Sequence, residues 1–74
     1  MTKRGEWESR VSNLIKSELK LRGISYAELA RRLQEIGVQE QEYTIASKLS
    51  RGRFSAVFFA QCLQVIGSDR LRLD

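Results

Sequence analysis

The sequence predicts an all-α fold: a compact bundle of four to five short helices, two of them joined as a helix-turn-helix, with residues 68–74 left as a short extended arm. Three observations carry this expectation. Apolar residues recur at steps of three and four along most of the chain. Ser25 and Ser55 each stand directly before such a run, where a hydroxyl can cap a helix start. Proline is absent, and Gly23, Gly37, Gly52 and Gly67 fall where the periodic runs stop.

The first helix is expected over residues 6–21. Trp7, Val11, Leu14, Ile15 and Leu19 form its apolar stripe, Leu21 lies off it at the helix end, and Gly23 closes the helix. Residues 1–5 are expected to fray. The second helix has the clearest start. Ser25 is the N-cap and Glu28 follows three residues on, the pattern of a capping box, while Ile24 and Leu29 can form a hydrophobic staple. Its buried face is read as Leu29, Ala30, Leu33 and Ile36, with Gly37 as the stop.

The third helix starts somewhere in residues 39–42. Glu40 and Glu42 suit a first turn because they oppose the positive end of the helix dipole. Ile45, Ala46 and Leu49 are its apolar face and Gly52 ends it. The fourth helix repeats the logic of the second: Ser55 is the N-cap, and Phe54 and Phe59 form a second staple. Val57, Phe58, Phe59, Cys62, Leu63, Val65 and Ile66 make it apolar on more than one side, which suits a central element that also offers an interface. The alternation Arg70-Leu71-Arg72-Leu73 in the tail suits a strand or an extended arm, where a lone strand needs a partner, and equally a partly ordered terminus.

At 74 residues the chain is expected to be one domain with one modest core, too small for a catalytic cleft backed by a second layer. It has no histidine and one cysteine, which removes the usual general base and any structural zinc set. The acidic residues form no calcium loop, and no phosphate-binding glycine loop is present. The expectation is therefore a non-enzyme with no cofactor, no metal and no small-molecule substrate. Cys62 lies on an apolar face and reads as a buried hydrophobe. The uncharged stretch at residues 54–68 is too short and too polar for a membrane span, and the N-terminal residues lack the apolar run of a secretory signal. A cytoplasmic location follows as an expectation.

The formal charge is +4, from 13 basic and nine acidic residues, which favours an anionic partner. Distribution says more than the total. Residues 43–53 hold Lys48, Arg51 and Arg53 and no acid.

The pattern resembles the phage-repressor-like (lambda-repressor-like) helix-turn-helix family over about residues 10–67. The residues that carry the resemblance are Leu19, Gly23, the run Ser25-Tyr26-Ala27-Glu28-Leu29-Ala30-Arg31-Arg32-Leu33, then Ile45, Leu49, Ser50-Arg51-Gly52 and the apolar fourth helix. Ala30 stands where that family needs a small residue for close helix approach, and Ile45 where it needs an apolar one. The stretch KLSRGRFSAVFF also resembles a set of small bacterial proteins of uncharacterised function. One departure is visible: residues 34–42 make the link between the two motif helices longer than the family's tight turn.

The resemblance implies a small bacterial or phage transcriptional regulator that binds double-stranded DNA as a homodimer and lies on the nucleoid. In such proteins the second motif helix enters the major groove. Gln41, Tyr43, Thr44 and Ser47 are then the candidates for base contact. Lys48, Arg51 and Arg53 are candidates for phosphate contact, with Arg31, Arg32 and the capped helix start at Ser25 behind them. Arg31 and Arg32 also have intrahelical acids four residues away, Glu35 and Glu28. Phe58, Leu71 and Leu73 are the candidate dimer interface. The alternative function is a protein–protein interaction module on the same fold, an adaptor or antitoxin-like partner.

Overall fold

The computed structural model of the protein describes residues 4–68. They form four helices: α1 (Arg4–Arg22), α2 (Tyr26–Glu35), α3 (Glu42–Arg51) and α4 (Ala56–Ile66). There is no strand among the described residues, and no helix among them is long and apolar enough to cross a membrane. The arm with Leu71 and Leu73 lies outside the described residues.

Helix α1 begins at Arg4, so residues 4 and 5, expected to fray, are helical. Its buried face also differs from the expected stripe. Ser12, Ile15 and Leu19 are buried and Glu8 is mostly covered, whereas Trp7 is 47 % exposed. At about 100° per residue, positions 8, 12, 15 and 19 share one line along the helix, and Trp7 lies about 100° away from it. The reason is a close helix approach. Gly52, at φ 68°, packs so tightly on α1 that a Cβ there would stand 2.5 Å from the Glu8 carbonyl oxygen. That contact, with the small Ser12 beside it in the buried line, turns the 8–12–15–19 face toward α3. The ring of Trp7 is covered instead by the Arg10 guanidinium, 4.8 Å from its centroid. Leu21 remains exposed, so it does not pack at the helix end.

Helix α2 starts as its sequence dictates. Ser25 Oγ accepts the Glu28 N–H at 3.1 Å, and Ile24 and Leu29 are both buried. Only half of the expected capping box forms, because the Glu28 carboxylate turns to arginines instead. The helix ends at Glu35 in a Schellman closure: the Gly37 N–H donates to Gln34 O at 3.0 Å and the Val38 N–H to Leu33 O at 2.9 Å. The closure carries Ile36 outward, where it is largely exposed, and packs Val38 on the core in the role expected of Ile36.

Helix α3 is started by Gln41, whose N–H donates to Thr44 Oγ1 at 2.9 Å, and it buries Ile45 and Leu49. Ala46 is half-buried beside them. Helix α4 starts on Ser55, whose Oγ accepts the Phe58 N–H at 3.0 Å. The Phe54 ring stacks on Phe59 with centroids 6.3 Å apart and meets Phe58 edge-on at 5.4 Å. Helix α4 buries one line of residues, Phe58, Cys62 and Ile66, and leaves Val57 exposed.

α1 packs on α3 and α4, and α2 packs on the same two helices, so the core lies between alternating elements. It is built from Ile15, Leu19, Leu29, Leu33, Ile45 and Leu49 around the buried line of α4. Ala30 is buried on α2, and α2 packs directly on α3. The end of α4 is tied down from both sides. Arg22 Nη1 donates to Ile66 O and Arg32 Nη1 to Val65 O, each at 3.1 Å. Both cations sit at the negative end of the α4 dipole, where charge is stabilising.

Candidate nucleic-acid interface

Helix α3 presents the candidate surface because only one of its faces is needed by the core. Ile45 and Leu49 point inward, so at about 100° per residue Tyr43, Ser47, Ser50 and Arg51 lie on the opposite side. Tyr43 is 69 % exposed and Ser50 and Arg51 are exposed, while Ser47 is half-covered. No acid lies on this face. Ser50, which carries the family resemblance but is not among the base-contact candidates, shares this face at seven-residue spacing from Tyr43.

Two of the other candidates for base contact are engaged in starting the helix. Gln41 is exposed at the N-cap. Thr44 Oγ1 receives the Gln41 N–H and shares its one proton between Glu40 Oε1 at 2.9 Å and Gln41 O at 2.8 Å. Thr44 is therefore a capping side chain first.

The candidate phosphate contacts differ sharply in their partners. Lys48 Nζ donates to Glu40 Oε2 and also stands 4.4 Å over the Phe58 ring. Arg53 Nε donates to Glu8 Oε2 at 2.9 Å, across 45 residues of sequence. Arg31 donates through Nε and Nη2 to the Glu28 carboxylate at 2.9 and 2.6 Å, and its Nη1 lies 3.3 Å from Glu35. Arg32 Nε donates to the same Glu28 at 2.9 Å. Hydrogen bonds from Arg31 first and Arg32 second hold the Glu28 carboxyl down to about 2. The Arg31 guanidinium is raised in turn by its bonds to Glu28. Arg51 has no carboxylate partner among the described residues. Ser25 is exposed, with its hydroxyl engaged as the α2 cap.

The interface candidate Phe58 is corrected by the fold: at 4 % exposure it is part of the core and offers no surface to a second copy. Its i−1 neighbour Val57 faces outward instead. Cys62 is fully buried, and desolvation pushes its thiol up to about 12, with Glu40 adding to the effect. The thiol is therefore protonated at neutral pH.

An open cleft of about 340 Å³ lies where the α3–α4 turn meets α1, lined by Trp7, Glu8, Val11, Gly52, Arg53 and Phe54. Its polar content is the Arg53–Glu8 pair. Among the described residues no group of three or more His, Cys, Asp or Glu side chains is placed to hold a metal ion.

Residues 7–71 match the model of a family described as a domain of unknown function, DUF6471. No curated protein and no solved structure matches the chain.

Proposed function

The chain belongs to the DUF6471 family, and for this member of it we propose a function: binding of double-stranded DNA through α3, as a small transcriptional regulator. The observation that carries the reading is the outward face of α3. Tyr43, Ser47, Ser50 and Arg51 form an acid-free polar face, opposite the core, on a helix of the width a major groove admits. The resemblance to the phage-repressor-like family, which uses the second motif helix in this way, supports it. Of the two acids at the start of α3, which would repel phosphates, Glu40 is turned inward, and the exposed Glu42 lies on the core side of the helix rather than on the Tyr43–Ser47 face.

Arg51 is the leading phosphate contact in this reading. Arg31 is largely exposed in its pairs with Glu28 and Glu35, and pairs of that kind contribute little, so a phosphate can take its place. Arg53 is exposed as well and its partner Glu8 is more covered. A single module of this size buries little DNA surface, and a second copy bound to a two-fold site would supply the missing affinity and specificity. Val57, exposed on α4, offers an apolar contact to such a dimer, and Leu71 and Leu73 are candidates on the sequence pattern alone.

The test is a salt series. Duplex affinity is expected to fall with salt between roughly 50 and 200 mM, and Arg51→Ala is expected to reduce the log–log slope by about 0.9. No duplex binding at the low end of that range would sink the proposal. Selection of bound duplexes from a random pool reads the rest, since a palindromic consensus with half-sites about 34 Å apart reports a dimer.

A second reading, a protein-interaction module, draws on the exposed apolar residues Trp7, Leu21, Ile36 and Val57. It predicts capture of a protein partner by a chain that leaves duplex DNA unbound.

A further inference from the structure

We infer that Glu40 is an internal anion that holds Lys48 away from the duplex and thereby sets the strength and salt response of the α3 contact. The inference rests on the duplex-binding reading.

Glu40 belongs to the link at residues 36–41, which joins α2 to α3 and is longer than the roughly three- to four-residue turn of a tight helix-turn-helix. The extra residues are not loose. Gln34 Nε2 donates to the Glu40 carbonyl at 3.0 Å, which fixes the backbone. The Glu40 side chain then folds back along α3. Its Oε1 accepts from Thr44 Oγ1 at 2.9 Å and its Oε2 accepts from Lys48 Nζ. The side chain is only 10 % exposed, and the Lys48 side chain is 37 % exposed with its ammonium over the Phe58 ring. A carboxylate with two donors and little water around it holds a cation more firmly than an exposed ion pair does. A phosphate that recruits Lys48 must displace both the carboxylate and the ring.

Lys48 thus differs from the arginines. Arg51 is available at once and Arg31 exchanges one exposed partner for another, but Lys48 is withheld by a group built for that purpose into the link.

The test compares wild type with Glu40→Gln on a random-sequence duplex over the same salt range. The amide keeps the shape and can still accept from Thr44, but it no longer carries charge. Glu40→Gln is expected to raise affinity roughly fivefold near 0.1 M salt and to steepen the slope by about 0.9, the signature of one added phosphate contact. Adding Lys48→Gln to Glu40→Gln is expected to abolish the gain. Glu42→Gln, which removes a nearby charge without releasing a cation, controls for net charge and is expected to leave the slope at its wild-type value. An unchanged slope in Glu40→Gln, or a gain that survives Lys48→Gln, overturns the inference while leaving duplex binding standing. Absence of binding by wild type and Glu40→Gln alike overturns the duplex reading and the inference with it. A measurement on the unaltered protein needs no variant to fold. Lys48 is expected to acylate with N-hydroxysuccinimide acetate several-fold more slowly than Lys16 and Lys20, by mass spectrometry, and equal rates would show that Glu40 does not hold it.

Discussion

Whether a basic side chain of α2, of α3 or of the turn that follows it is available to a ligand depends on the nearest carboxylate. Glu28 collects Arg31 and Arg32, Glu40 collects Lys48, and Glu8 collects Arg53, while Arg51 has no carboxylate partner among the described residues. The first pairing is legible in sequence because i,i+3 and i,i+4 neighbours share a helix face. The Glu8–Arg53 pair is not, because no periodicity relates residues 45 positions apart. Gly52 is the residue on which this last contact turns. It adopts a left-handed conformation and lies against the Glu8 backbone. Gly52→Ala is expected to destabilise the protein by about 2–4 kcal/mol, from backbone strain together with overlap at α1. Chemical denaturation measures it, and a loss below about 0.5 kcal/mol would mean that the α1–α3 approach is looser than described.

The helices of this chain begin and end on local signals. Ser25 and Ser55 each accept one backbone N–H, and both starts were readable because a cap and the residue it serves lie three positions apart. The two caps are not equivalent in context. Ser55 starts a helix with no acid in its first turn, so its hydroxyl is the main partner for that end, whereas α2 also has Glu28 there. Ser55→Ala is therefore expected to cost about 1–2 kcal/mol and Ser25→Ala about 1 kcal/mol or less, measured as shifts in the unfolding midpoint. A larger loss at Ser25 would contradict this ordering. The inner face of α1 is not set by such a local signal. Trp7 and Val11 continue a plausible apolar line, but hydrophobicity alone does not reveal that Ser12 and Glu8 occupy the inner face.

Across the molecule the core is a single cluster to which all four helices contribute, and Arg22 and Arg32 bind the end of α4 to α1 and α2. A chain this small has no second core to hold part of the structure when the first fails. Leu33→Ala removes a fully buried side chain of that cluster and is expected to cost about 2–5 kcal/mol. Unfolding should remain one transition, with far-UV circular dichroism and Trp7 fluorescence giving the same midpoint. Separate midpoints would show that α1 unfolds independently.

The sequence by itself determined the all-α class, the starts of α2 and α4, the glycine closures and most of the core, because each depends on residues within about one helical turn of one another. It also marked the face of α3 that carries Tyr43 and Ser47, since Ile45 and Leu49 define the opposite side. Only the tertiary structure decided that Phe58 is core and Val57 surface, that Ile36 gives way to Val38, and that α1 is turned by the Gly52 contact. It alone decided that Glu40 holds Lys48 and Glu8 holds Arg53, and that Arg51 has no carboxylate partner among the described residues. Those outcomes depend on which elements meet, and close packing between distant segments is a property of the assembled fold rather than of any stretch of chain.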